Sequence, residues 1–236
     1  DIIEIIVEQE ATARFVSRHL CNFFVEDEPQ VPAWNIEPPR DPALVDQMSK
    51  VFMETSGDMP AVLQELFKSD GFKNSINLPK VKSPTELIVG VLKQVGTYSQ
   101  MKPGLEQIIN TLSVMGQELL NPPTVEGWHT GSEWIDSGTL SERINFASRA
   151  FADMEDPGVR DIVQRVGSLE GNPDDLLERC LDVLGGIEVS SATNSELLEY
   201  ATGLIEQEKV ERGSADISDL ILSLIHISEP TRRYAI

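Results

Sequence analysis

Acidic and imidazole side chains crowd one short run of this sequence. Glu126, His129, Glu133 and Asp136 alternate with Trp128 and Trp134. Residues of these types can move protons. Two carboxylates on either side of a bond serve as general acid and general base, and an imidazole beside them serves as the base. Indoles next to carboxylates also suit a sugar, whose apolar faces stack on the rings. The same residues have a plainer reading, in which both tryptophans are packing anchors and the acids face water. On the residues alone both readings stay open. Arg143, a little farther on, carries five donors in a planar fork. It could reach back to loop carbonyls and tie the run down, or it could hold a carboxylate, sulfate or phosphate. No nucleophile elbow, phosphate loop or HExxH motif occurs. The two cysteines, Cys21 and Cys180, have no metal-ligand spacing. No metal and no cofactor is expected.

The elements that must position these residues are helices. The run from Asn121 to Phe146 is a Trp-, Gly- and Pro-rich loop until near its end. Pro122-Pro123 stops what precedes it, because proline lacks the N–H and restricts its predecessor. Thr139 with Glu142 reads as a capping box that opens a helix whose face is Leu140, Ile144, Ala147 and Phe151. Upstream, residues 1–25 read as helix broken near Gln9, with Phe15, Val16, His19, Leu20, Phe23 and Phe24 as an apolar stripe. His19 reads there as a packed core histidine. Residues 26–40 are a proline-rich loop that Trp34 tacks onto the body. Asp41-Pro42 opens a helix that Gly57 ends, and Asp58 caps a second that runs to Ser69. Residues 71–82 read as irregular. Ser83-Pro84-Thr85-Glu86 is a full capping box, and its helix faces inward with Leu87, Ile88, Val91, Leu92 and Val95.

A further helix carries Leu105, Ile108, Ile109, Leu112 and Met115. After a turn at Asp156-Pro157-Gly158, helices follow over 159–166, from Pro173 to a stop at Gly185, from Ser191 to Gln207, and from Ser214. Ile187-Glu188-Val189 is too short to count as a strand. The expected fold is all-α, an irregular bundle of about nine helices forming one domain over 1–221. The first residues already lie inside a helical pattern, so the chain reads as a fragment of a longer one, its own N-terminus missing.

Composition narrows the functions. The chain has 236 residues, 40% hydrophobic, with a net charge of −20. That charge argues against a nucleic-acid partner and against anionic membranes. No run approaches the length of a membrane span, and no signal peptide is visible. The cysteines fall in helical patterns and read as buried free thiols.

Several segments carry a family likeness. They are Phe23-Phe24-Val25, Pro42-Ala43-Leu44-Val45, Lys82-Ser83-Pro84 and Met115-Gly116-Gln117. Asn121-Pro122-Pro123-Thr124-Val125-Glu126-Gly127-Trp128 follows, then Gly131, Trp134 and Arg143-Ile144-Asn145-Phe146-Ala147. In order and spacing the chain resembles the C-terminal part of the bacterial family catalogued as domain of unknown function 1800. Residues 26–40 look like an insertion, and Thr124 stands where the family usually has Asn. The resemblance implies a helical, exported bacterial protein, periplasmic or secreted, with an alkaline-phosphatase-like protein as partner. It hands over no catalytic residue.

The ligand-binding candidates are therefore Gln117, Glu126, Trp128, Trp134, Arg143 and Asn145. The expected function is a non-catalytic binding or accessory module. The alternative is a hydrolase of a polymeric, sulfated or phosphorylated substrate, its site around Trp128. Leu222 to Arg232, LSLIHISEPTR, resembles the in-frame translation of a sequencing adapter. Residues 222–236 are read as a non-native tail and set aside.

Overall fold

The computed structural model describes residues 2–75, 78, 80–96, 98, 103–125, 127–153, 155–167, 172–183 and 189–211. Among these there are eleven α-helices and no strand. The all-α expectation holds. The expected stop at Gly185, the 187–188 segment, the helix from Ser214 and the tail lie outside the described residues. The described helices gather into two compact units. One holds residues to Val81 together with His129–Glu133, and the other holds Lys82–Trp128 and the helices after Trp134.

In the first unit, α1 is Ile2–Val7 and α2 is Glu10–Phe24, with the expected break between them. A 3-10 turn, Val31–Asn35, interrupts the proline-rich loop. The helix α3, Pro42–Glu54, starts as its sequence dictates: the Asp41 carboxylate accepts from the Leu44 N–H at 3.0 Å, and Pro42 sits where no N–H is needed. It ends at a left-handed Ser56 (φ 54°), with the Gly57 N–H donating to the Phe52 carbonyl at 2.8 Å. The helix α4 is Met59–Lys68. The next segment corrects the sequence reading, because Asp70–Asn74 is a short helix, α5. Ser69 opens it by accepting from the Phe72 N–H at 3.0 Å while its own N–H closes α4. Ala13, Cys21, Leu44, Val45, Met48, Phe52, Val62 and Leu66 make the core.

The stripe expected of α2 holds in part: Val16, Leu20 and Phe24 are partly buried and pack against this core, while Phe15 is 48% and Phe23 59% exposed. Ala13, Ser17, Arg18 and Cys21 are the buried positions, and the stripe lies on one side of them.

The second unit begins with α6, Pro84–Val95, and both halves of its capping box are made. The Glu86 N–H donates to Ser83 Oγ and the Ser83 N–H to Glu86 Oε2. The others are α7 (Leu105–Val114), α8 (Ser137–Phe151), α9 (Pro157–Val166), α10 (Pro173–Val183) and α11 (Ser191–Glu211). Ile109, one of the apolar residues that marked α7, is 53% exposed.

Two starts differ from expectation. The N-cap of α8 is Asp136, not Thr139. Its carboxylate accepts from the Gly138 and Thr139 N–H groups at 2.7 and 2.9 Å, and Thr139 Oγ1 accepts from the Asp136 N–H at 2.9 Å. Pro157-Gly158 is likewise no turn but the first turn of α9. Gly158 lies against the last carbonyls of α6: a Cβ there would stand 1.6 Å from the Gln94 carbonyl oxygen and 2.7 Å from that of Val95. The positive end of α9 meets the negative end of α6, and only a glycine permits the approach.

Candidate functional site

In the second unit, family-like residues meet at the end of α7. This helix closes with a Schellman turn. Gly116 (φ 93°) occupies the left-handed position, its N–H donates to the Ser113 carbonyl at 3.0 Å, and the Gln117 N–H donates to the Leu112 carbonyl at 2.9 Å. Met115 is fully buried. The turn aims the Gln117 side chain at the start of α6, where its Oε1 accepts from both the N–H and the hydroxyl of Thr85, each at 2.8 Å. Gln117 therefore caps a neighbouring helix, satisfying a donor that α6 cannot satisfy itself.

Trp134 is 5% exposed, and its ring lies over Gly116, 3.8 Å from where a Cβ would be. Its carbonyl accepts from Thr139 Oγ1 at 3.0 Å, fastening the ring to the start of α8. Trp128 is half-buried, and its Nε1–H donates to the Glu118 carbonyl at 3.2 Å. On α8, Arg143 is wholly buried, and burial pushes its guanidinium down to about 10. Asn145 is exposed on that helix, as is Ile144, which the sequence placed inside. The inward positions are taken by Arg143, Phe146, Ala147 and Phe151. Glu126 lies outside the described residues.

Within the second unit, then, Gln117 and Trp134 meet at the 115–117 turn, and Trp128 is tied to Glu118. Of the other acid–base candidates, Asp136 is spent on capping α8. Backbone N–H bonds from Thr139 and Gly138 hold its carboxyl below the usual range. His129 Nδ1 and Glu133 Oε2, in the first unit, pair at 2.6 Å, with both side chains about half exposed. Among the described residues no group of His, Cys, Asp and Glu is arranged to hold a metal ion.

The family described as "Protein of unknown function (DUF1800)" matches residues 1–229. The chain belongs to that family. No curated protein and no solved structure matches it. The DUF1800 match runs into the tail set aside above, all of it outside the described residues. Met115-Gly116-Gln117 in this chain is thus a helix stop whose glycine receives an indole and whose glutamine caps a second helix.

The most highly connected polar group in the first unit escaped the sequence reading. Arg18 and Glu28 are both buried, and Arg18 donates to Glu28 Oε2 from Nε (3.1 Å) and from Nη2 (2.8 Å). The same guanidinium donates to the carbonyls of Glu37 and Pro38, at 2.9 and 3.0 Å. It lies 4.5 Å from the centre of the Trp34 ring. Glu28 Oε1 then accepts from the Arg40 N–H at 2.8 Å. Trp34 does tack the loop down as expected, with its Nε1–H on the Pro29 carbonyl at 2.7 Å and its ring against His19. His19 packs as expected, and burial lowers its pKa. Beside this hub Phe15, Trp34, Ile36 and Pro38 line a groove of about 430 Å³. The signal in the sequence was a charged residue inside an apolar helical stripe, which reads as a hub only once its acceptors are known.

Proposed function

We propose that the chain is a non-catalytic binding or accessory module. One observation carries this reading: Gln117 Oε1 is occupied by both donors of Thr85. A residue held in that way positions helices, and a substrate would have to displace two hydrogen bonds to use it. The burial of Trp134 and Arg143 supports the same view, since neither side chain faces a ligand from outside. The alternative, a hydrolase of sulfated or phosphorylated polymers, calls for a wet, charged cleft around these residues.

The wider setting comes from the family resemblance: a bacterial protein, periplasmic or secreted, working beside an alkaline-phosphatase-like partner. The absence of any helix long and apolar enough to cross a membrane, among the described residues, is compatible with such a setting. The test is co-purification of the full-length parent with that partner from the exported fraction. Stable association with no turnover of sulfated or phosphorylated polymers is expected. Turnover by the parent that Arg143→Lys abolishes without unfolding the chain would establish the hydrolase instead.

A further inference from the structure

The groove beside the Arg18 hub takes its walls from two elements of the first unit. One wall is a turn of α2 that presents Ala11, with Arg14 and Phe15 three and four residues on. The other is the loop from Trp34 to Pro39. At about 430 Å³ the groove falls inside the ~300–1,000 Å³ range of small-molecule sites. Its loop wall is not slack chain. Arg18 donates to the carbonyls of Glu37 and Pro38, and the Trp34 Nε1–H donates to that of Pro29. A wall fixed before encounter loses little freedom on binding. Apolar surface nevertheless stays in water there, for Phe15 is 48% and Ile36 88% exposed.

The charges around the groove narrow what it can receive. Arg14 donates to the Asp46 carboxylate, and Arg18 is answered by Glu28. Glu37 adds an exposed carboxylate to the lining. His19, packed against Trp34, is neutral at pH 7, since burial lowers its pKa. An anion would meet Glu37, Asp46 and a chain of net −20. A cation would find the Trp34 ring already holding the Arg18 guanidinium at 4.5 Å. A wholly apolar ligand would take water from Asn35, Glu37 and the Arg14–Asp46 pair and return no hydrogen bond. A neutral ligand with apolar faces and hydroxyl edges meets all three conditions. Sugar rings whose substituents are all equatorial have that shape. Their C–H bonds cover both faces and are drawn to the electron-rich faces of aromatic rings. Their hydroxyls lie at the edge, where amide, carboxylate and guanidinium groups accept and donate. The rings of Phe15 and Trp34 stand 5.6 Å apart between centres, inclined at 60°. They form a corner, which receives one chain, and not the flat strip that the plane of a crystalline fibre needs. Resting on the binding-module reading above, we propose that this groove binds a single neutral sugar chain of all-equatorial rings, the geometry of a β-1,4-glucan. One ring of the chain sits in the corner of Phe15 and Trp34, with its hydroxyls on Asn35, Glu37 and Arg14.

The test titrates cellohexaose, a soluble chain of that geometry, into the full chain by calorimetry. Phe15→Ala and Asn35→Ala probe the groove, and Trp128→Ala probes the other indole that a sugar could stack on. Phe15 and Asn35 are exposed, and both groove variants keep the bond from Trp34 to Pro29, so the loop stays in place. Binding should weaken about tenfold or more in Phe15→Ala, the loss typical of an aromatic anchor. It should weaken about threefold in Asn35→Ala, the size of one hydrogen bond. Trp128→Ala should bind as the parent does. If Phe15→Ala fails to fold, Asn35→Ala decides alone. No binding by the parent, or equal binding by the parent and both groove variants, would overturn the proposal. A loss in Trp128→Ala alone would put the sugar in the second unit and overturn it too. Tighter binding of an oligogalacturonate would make the occupant an acid, and retention on crystalline cellulose without binding of cellohexaose would make it a fibre surface; either result sinks the single neutral chain. If the parent co-purifies with a partner and binds no sugar, the binding-module reading survives and the groove is the wrong site. If cellohexaose binds through Phe15 and is cut into shorter sugars, the groove stands and the non-catalytic reading falls.

Discussion

Replacing Gly158 by alanine tests the packing of the second unit most directly. In a helix, alanine is ordinarily the better residue by about 0.8–1.0 kcal/mol. At Gly90, inside α6, an added Cβ meets nothing within 4 Å, so Gly90→Ala should stabilise by roughly that amount. At Gly158 the same methyl would stand 1.6 Å from the Gln94 carbonyl oxygen, with the Gln94 carbonyl carbon and the Val95 oxygen both at 2.7 Å. All three are backbone atoms, so no rotamer change relieves the clash. An ordinary carbon–oxygen contact requires α9 to withdraw by about 1.5 Å, and overpacking of this kind costs about 1–3 kcal/mol or more. Taking about 3 kcal/mol, the midpoint of thermal unfolding should fall by about 6–12 °C for a chain of this size. The assay is thermal unfolding of the parent and both variants, followed by circular dichroism in one buffer. A Gly158→Ala midpoint at or above the parent's would refute the close approach of α9 to α6. A destabilised Gly90→Ala would refute the use of the pair as a matched comparison.

The Arg18–Glu28 pair should be costly to break. Arg18→Ala leaves Glu28 buried with no counter-charge and should cost about 3–5 kcal/mol in urea unfolding; a loss below about 1 kcal/mol would show the pair is solvated. Trp134→Ala should likewise cost about 3–5 kcal/mol, the range for a buried large aromatic, and an unchanged melting point would place the ring outside the core. Asp136→Ala should lower the melting temperature at neutral pH. Because the folded-state pKa of Asp136 is depressed by its backbone hydrogen bonds, that cap is fully present above the unfolded pKa and lost as pH falls through the folded one. The gap between parent and variant should therefore close below about pH 4, and a constant gap would mean the charge has no part in the cap. Burial, with help from Asp41, Glu28 and Glu26, pushes the Cys21 thiol up to about 12, and burial pushes that of Cys180 to about 11. Neither should react with a thiol reagent at pH 8 until denaturant is added, and native labelling of either would contradict its burial.

What the sequence made legible was local. Asp41-Pro42 and Ser83-Pro84-Thr85-Glu86 announce helix starts because the capping groups lie within four residues of one another. The start of α8 was misplaced at Thr139 with Glu142, a pair that also fits the capping spacing. The backbone instead uses Asp136, whose carboxylate takes two N–H groups. The helix α5 left no periodic trace, being five residues long with one serine serving both its start and the end of α4. Apolar periodicity found part of the inward face of α2 and α8, but it missed the buried Arg18 and Arg143 and placed Phe15, Phe23 and Ile144 inside, where the structure exposes them. In the candidate site, the tryptophan anchors were readable by type. The partner of Gln117 was not, because Thr85 lies thirty-two residues away in the chain. The close fit at Gly158 was invisible for the same reason, since it depends on where another helix ends.

The loop of residues 26–40 has a consequence for how the family can vary. Its foot, Glu28, accepts both from the N–H of its far end, Arg40, and from Arg18 on α2. Among the described residues every acceptor of Arg18 belongs to the loop, Glu28, Glu37 and Pro38 among them. A lineage that deleted the loop and kept Arg18 would leave a cation stranded in the interior, and one that acquired the loop without it would leave a carboxylate there. Segment and arginine should therefore be inherited together. Relatives lacking these residues should carry an apolar side chain where Arg18 stands, so gain or loss of the loop would require two genetic changes rather than one.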